Sequence, residues 1–257
     1  MFSYLYTTFI FAPLYNGLIA LFDTIPWIDA GIAVILFTII VRLILFPLSK
    51  RAIIAQVKMR ELQPELDRIK IDYKDDRQKQ GTMMMEMYKE KGIHPFSSVL
   101  LLFIQLPIIY ALYGVFIHSG LPVVDHTLLY SFISTPVINI HFFGLFDITK
   151  PSLILSLGAA VAQYLQLEFS LNAMKSSAPA AKNGVKSQAD MAQSMTNQMK
   201  YIFPVVIFFI SYRLSGVLSL YWITTNLFTL VQELVVRKKL AHKKTHDGRP
   251  AVPPISI

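Results

Sequence analysis

The chain contains no cysteine. That excludes disulfides, thiolate metal sites and a cysteine-anchored lipid start. No lysine or arginine precedes Arg42. The opening segment therefore offers neither the basic n-region of a secretory signal nor the Arg-rich face of an organellar transit peptide. Charge is scarce throughout. Only 16% of the 257 residues are charged and 54% are hydrophobic, whereas a soluble domain carries about a quarter charged residues. No GxSxG, HExxH or GxxxxGK[ST] pattern occurs, so the common signatures of nucleophilic, zinc and nucleotide chemistry are missing. The histidines at 94, 118, 126, 141, 242 and 246 fall outside the apolar runs. No catalytic residue, metal site or cofactor is expected, and nothing points to DNA.

What remains is long apolar segments. Mean hydropathy is +0.48, and stretches near the length of a bilayer crossing recur. Alternating barrel strands are absent. The chain reads as an all-α polytopic membrane protein with five transmembrane helices, at 30–48, 96–117, 151–171, 199–213 and 217–236. The fourth is short, about 22 Å at 1.5 Å per residue, and with the fifth forms a hairpin expected to thin the bilayer locally.

The basic residues orient these spans. Residues 49–95 hold 11 Lys/Arg, residues 172–200 hold 4 and residues 237–257 hold 6; elsewhere there are only Arg42, Lys150 and Arg213. The positive-inside bias puts the first three segments in the cytoplasm. They read as a helical hairpin (49–95), a loop (172–198) and a basic tail (237–257). Residues 118–150 become an extracytoplasmic loop. The N-terminus lies outside, and a bacterial plasma (inner) membrane is the simplest location. Residues 1–29 form an extracytoplasmic segment. Within it Leu14, Leu18 and Phe22 share a helical face, and Pro13 and Asn16-Gly17 interrupt the pattern. An interfacial amphipathic helix is expected there, with a sixth span the alternative. In 49–95, Pro64 permits a break ahead of two charged helical stretches. Their role is either a solvated arm or a docking paddle.

Arg42 is the informative residue. It sits inside the run 30–48, where a guanidinium costs roughly 2.5–3.5 kcal/mol on insertion scales and cannot shed its proton. Thr38, Arg42 and Ser49 share a face. Polar stripes run along the other spans. Ser98 and Gln105 lie on the second. Ser152, Ser156, Ala159, Gln163, Gln166 and Ser170 lie on the third, and Trp222, Thr225, Asn226, Thr229 and Gln232 on the fifth. Such stripes serve helix–helix packing or line a wet cavity. No Asp or Glu lies inside a span to neutralise Arg42; Glu168 and Glu233 fall near span ends. A cytosol-open cavity is expected, lined by Arg42, Thr38, Gln105, Gln163, Gln166, Trp222, Thr225 and Asn226. Inverted repeats and acidic relays are lacking, which disfavours a proton-coupled transporter. An anion-conducting channel or transporter built on Arg42 stays open as the alternative.

Seven sequence words, in order, carry a resemblance. They are Phe37-Thr-Ile-Ile-Val-Arg42-Leu-Ile-Leu-Phe-Pro47-Leu-Ser, Lys58-Met-Arg-Glu-Leu-Gln-Pro64, Met85-Glu-Met-Tyr-Lys89 followed by His94-Pro95, Gln105-Leu-Pro107-Ile, Tyr164-Leu-Gln166, Phe203-Pro204, and Gly216-Val-Leu-Ser-Leu-Tyr221-Trp222 with Asn226 after it. Spanning about residues 13–240, they resemble the YidC/Oxa/Alb family of membrane protein insertases in its short bacterial form. The resemblance implies five helices around a hydrophilic groove open to cytosol and lipid. Its groove arginine falls on Arg42, its polar third-span position on Gln166 and its fifth-span aromatic on Trp222. It implies nascent membrane proteins as clients, release of their apolar segments into the lipid bilayer, and a ribosome contact through the basic tail. Work alone or beside the Sec translocon is left open. The turn Tyr212-Arg213-Leu-Ser-Gly216 departs from the pattern, carrying Arg and Leu where relatives have aromatics and proline.

Overall fold

Long apolar runs with few internal glycines form helices here because, away from water, a helix satisfies its own backbone polar groups, and helix dominates. In the computed structural model the described residues are 2–93, 97–117, 123–175 and 188–246. The helices are α1 (Phe2–Tyr6), α2 (Ala12–Thr24), α3 (Ala30–Ile44), α4 (Phe46–Glu61), α5 (Gln63–Asp72), α6 (Arg77–Glu90), α7 (Ser97–Ile117), α8 (Leu153–Lys175), α9 (Gln188–Leu214) and α10 (Gly216–His246). One small hairpin, β1 (His141–Phe142) with β2 (Phe146–Asp147), interrupts the connection between α7 and α8. The middle of the expected loop 172–198, between Lys175 and Gln188, and the side chain of Ser98 lie outside the described residues.

Among the described residues two helices are long and apolar enough to cross a membrane, Tyr4–Thr24 and Leu153–Leu171. A third span arises if Ala30–Ile44 and Phe46–Met59 count as one broken helix. Residues 2–24 do not break at Pro13. A π-helical turn at Thr7–Phe11 joins α1 to α2, and a π turn is one way for a helix to accommodate a proline that lacks an N–H and crowds the carbonyl four residues back. The 30–48 run is interrupted: α3 ends at Ile44 and a new helix starts at Phe46, placing Pro47 in the first turn of α4, where its missing N–H costs nothing. Pro64 sits likewise in the first turn of α5.

The chain divides into two compact units. The first comprises Met1–Leu45, Leu102–Gln166 and Tyr201–Thr229. Its core joins Tyr15, Leu18, Ile19 and Phe22 of α2 to Ala33, Val34 and Phe37 of α3, Leu112 and Val115 of α7, and Val217 and Tyr221 of α10. The connecting loop ties down the helix starts. Asp29 caps α3, its Oδ1 accepting from Ile32 N at 2.8 Å and its Oδ2 from Phe143 N at 3.0 Å. Ala30 N donates to Asn139 O at 2.8 Å. At the start of α10, Gly216 N donates to Lys150 O and Val217 N to Ile148 O, each at 2.9 Å. A Cβ on Gly216 would lie 3.1 Å from Ile148 Cα, so glycine permits that approach. Asn16 is not a breaker but a latch. It is 2% exposed; its Nδ2 donates to Ala12 O and, at 2.7 Å, to Leu128 O, and its Oδ1 accepts from Tyr130 N at 2.7 Å. Tyr15 Oη accepts from Asp125 N at 2.8 Å.

The second unit comprises Phe46–Leu101, Leu167–Lys200 and Leu230–Ile257. Here α5 and α6 fold back on each other around Leu62, Leu66 and Ile93, with Met59, Met84, Met87 and Tyr88 packed alongside. Asp76 caps α6 through Lys79 N at 2.9 Å, and Lys79 lies over the Tyr73 ring at 5.3 Å.

Replacing Asn16 by Ala strands the Leu128 carbonyl and the Tyr130 N–H. Unmade buried hydrogen bonds cost about 1–3 kcal/mol each. Asn16→Ala is expected to lower the thermal midpoint of the detergent-solubilised chain; an unchanged midpoint would show that the latch carries no stability.

Candidate functional site

All eight residues expected to line a polar cavity fall in the first unit. Arg42 occupies the last turn of α3. It therefore sits at the carbonyl end of that helix, and a helix C-terminus favours positive charge by about 0.3–1 kcal/mol. Its Nη2 donates to Gln105 Oε1 at 3.1 Å, and the Tyr221 hydroxyl lies close enough to act on the guanidinium electrostatically. Both groups are neutral. Among the described residues Arg42 makes no ion pair. Tyr221 was not among the cavity candidates. It precedes Thr225 by four residues and so shares its helical face, the signal that could have found it.

Burial changes along α3. Ala30, Ala33, Val34, Phe37 and Thr38 are closed off, Thr38 at 1% exposure. Its hydroxyl is spent on Val34 O at 2.6 Å. One turn further Arg42 is half-buried, and Ile40, Leu43 and Ile44 are exposed, Ile44 at 70%.

The stripes of α8 and α10 meet in register. Ser156 Oγ lies 3.3 Å from Ser219 Oγ, and Asn226 Nδ2 donates to Gln163 Oε1 at 3.1 Å. Seven residues separate the contacts on both helices, so the two run parallel with a heptad-like spacing. Ser156 and Ser219 are fully buried and act as packing contacts. Asn226 is 6% exposed and pairs with Gln163 rather than with Arg42. Gln166 and Trp222 are half-buried, Trp222 against the unit core. Thr225 is buried beside Tyr221, with no well-formed hydrogen bond from its Oγ1. Thr224 and Thr229 spend their hydroxyls on their own helix, on Leu220 O and Thr225 O at 2.8 Å each.

In the second unit the carboxylates of α8 and α10, Glu168 and Glu233, are matched to cations. Glu233, 2% exposed, accepts from Ser170 Oγ at 3.0 Å and from Arg237 Nε and Nη2 at 2.9 and 2.5 Å. Glu168 pairs with Lys200. Gln232 Nε2 donates to Ser49 Oγ at 2.5 Å, so Ser49 serves α4–α10 packing. No cluster of His, Cys, Asp or Glu able to hold a metal occurs among the described residues.

The model of the 60Kd inner membrane protein family matches residues 21–244. The chain belongs to this family, the YidC/Oxa/Alb insertases. The membrane protein insertase YidC of Fusobacterium nucleatum is 31% identical over 209 residues, covering 81% of this chain and 86% of that protein. That of Clostridium tetani is 31% identical over 215 residues, covering 84% of each. The Francisella philomiragia protein is 32% identical over 218 residues, which make up only 34% of its length. The chain is thus an inner-membrane insertase and not an enzyme.

Arg237 is the cation that matches buried Glu233. Arg237→Met is expected to destabilise the insertase by about 3–5 kcal/mol, since it leaves a buried charge unpaired. Glu233→Gln combined with Arg237→Met should recover most of that loss in a thermal melt. A double variant no more stable than Arg237→Met would refute the charge explanation.

Proposed function

We propose that the insertase receives nascent membrane proteins in a hydrophilic groove centred on Arg42, open to the cytosol and to lipid, and releases their apolar segments into the bilayer. The observation that carries this reading is the company Arg42 keeps. It is half-buried, and among the described residues it bonds the neutral Gln105 and lies beside the neutral Tyr221, while Glu168 and Glu233 are taken by Lys200 and Arg237. The cation therefore keeps its attraction for an incoming carboxylate, through a charge-assisted hydrogen bond. The closed half of α3, ending at Thr38, forms the floor of the groove. Gln105, Gln163, Gln166, Thr225 and Asn226 supply polar lining, and Trp222 an apolar contact for the client.

The proposed topology has five spans, with the N-terminus outside and the C-terminus in the cytoplasm of a bacterium. The weakest spans by hydropathy are understandable on this basis. The stripe from Thr224 to Glu233 makes α10 more polar than a lipid-bathed helix because one of its faces serves the groove and its neighbours. Crossing hydrocarbon is costly for a polar tail. A groove shortens the apolar path, and the membrane potential, about 2.3 kcal/mol per charge per 100 mV, assists an acidic tail. No nucleotide site is needed. The basic tail from Arg237 onward contacts ribosomes, the Sec translocon being a further partner for larger clients.

In a depletion strain producing Arg42→Lys, Arg42→Ala or Arg42→Glu, insertion of a single-span client with an acidic tail should fall in that order. A charged hydrogen bond contributes about 1.5–3 kcal/mol, so Arg42→Glu should insert at least about tenfold more slowly. Wild-type insertion by Arg42→Glu would remove the charge role.

A photocrosslinker at position 166 or 222 should capture a nascent membrane protein during its translation. An anion channel would instead give Arg42-dependent conductance in planar bilayers and no adduct at either position, and that pair of results would replace the groove reading.

A further inference from the structure

The hairpin in the connecting loop has a tip that backbone chemistry disfavours. Leu145 N donates to Phe142 O at 3.0 Å, closing a turn whose central residues are Phe143 and Gly144. Both have positive φ, 51° and 71°. Such a turn normally takes Asn, Asp or Gly at the first position, and a bulky side chain at positive φ is an outlier. Phe143 is the one non-glycine residue at positive φ among the described residues. Its ring touches Phe142, with centroids 4.4 Å apart, yet it stays 67% exposed. Strain is accepted here to project an aromatic ring away from the protein.

The ring has company. Leu145 is 77% exposed, Trp27 82%, Phe132 79% and Val137 93%. These residues lie on loops, outside every helix, so lipid-facing helical packing does not account for them. Nor are they loosely held. Asp29 grips the hairpin at Phe143 N and caps α3 two residues after Trp27. Phe142 packs onto Gly31 so closely that a Cβ there would lie 2.2 Å from its ring. Lys150 is the only basic residue between Val123 and Lys150 other than histidine. The loop carboxylates are engaged locally, Asp125 by Thr127 N and Oγ1 and Asp147 by Thr149 and Lys150. A few residues past the hairpin the chain enters the span-length helix α8, whose first residues Leu153 and Ile154 are 59% and 65% exposed.

We infer that the loop tips Trp27, Phe132, Phe143 and Leu145 are seated in the headgroup–acyl boundary of the outer leaflet as a rigid apolar anchor. Aromatic side chains favour that boundary, and the short step along the chain into α8 selects lipid over a protein partner. The side of the membrane rests on the topology proposed above.

Because the chain lacks cysteine, single cysteines can be introduced cleanly for spin labelling. The full chain in proteoliposomes would carry a nitroxide at F143C, L145C or F132C, with D75C at the tip of the basic hairpin as the aqueous reference. The inference expects collisions with oxygen to exceed those with a water-soluble nickel chelate several-fold at 143, 145 and 132, and the reverse at 75. Adding Phe143→Ser to L145C should lower the oxygen preference. Nickel access at 143 and 145 equal to that at 75 would put the tips in water and overturn the inference. Low access to both reagents would mean a protein cover and overturn it equally. The topology is read separately. A membrane-impermeant maleimide should label H126C in intact spheroplasts; labelling only after lysis would refute the outer leaflet while leaving the depth measurement intact.

Discussion

Helix ends are the constraint on which the first unit depends. Each helix start leaves N–H groups without intrahelical acceptors, and an apolar surround offers no water to take them up. The connecting loop supplies what is missing. Its carbonyls at Ile148 and Lys150 accept from the first residues of α10, Asn139 accepts from Ala30, and the loop in turn hangs on Asn16, Tyr15 and Asp29. Close approach requires small residues at Gly31 and Gly216. The same contacts that satisfy the backbone therefore pack the loop end of the unit shut, and the buried half of α3 is a consequence.

The other half of α3 answers to a different constraint. Pro47 belongs at the start of a helix, so α3 stops at Ile44 and Arg42 falls in its final turn. A guanidinium placed there gains from the carbonyl end of the helix without needing a carboxylate. Gln105 satisfies one of its five donors with a neutral oxygen, and the neutral Tyr221 lies beside it. Neutral partners satisfy hydrogen bonds but do not cancel charge. A carboxylate at the same site would cancel it and close the proposed groove to an acidic client.

Much of this was legible. The apolar runs, the polar stripes on α8 and α10 and the exceptional arginine are all periodic or compositional signals. The stripes could not declare their use. Ser156 and Gln163 are both small or polar residues on one face, yet each meets a matching residue on α10, so the stripe is partly a packing register. Asn16 next to Gly17 looked like an interruption because its partners, Leu128 and Tyr130, lie more than a hundred residues away. Pro13 was expected to disturb a helix, and the π turn ahead of it cannot be read from side-chain type. The break at Leu45 was obscured by the apolar run around Pro47, although the proline that accompanies it was in plain view.

Loop and arginine are linked through the length of α3. Twelve residues separate Ala30 from Arg42, about 18 Å of helix, against a hydrocarbon core about 30 Å thick. With the loop end of α3 at the outer boundary, as proposed, Arg42 lies past the midplane and nearer the cytosol. Its depth is then set by whatever fixes Ala30, which is the clamp of Asp29 and Asn139 on the hairpin. A hairpin free to ride up and down would let the guanidinium wander across several ångströms of steep dielectric change, where the interaction energy of a charge varies strongly. Anchoring the tips of that hairpin in the lipid boundary holds the charge at one level, and a strained Phe143 is a small cost beside that of a misplaced arginine.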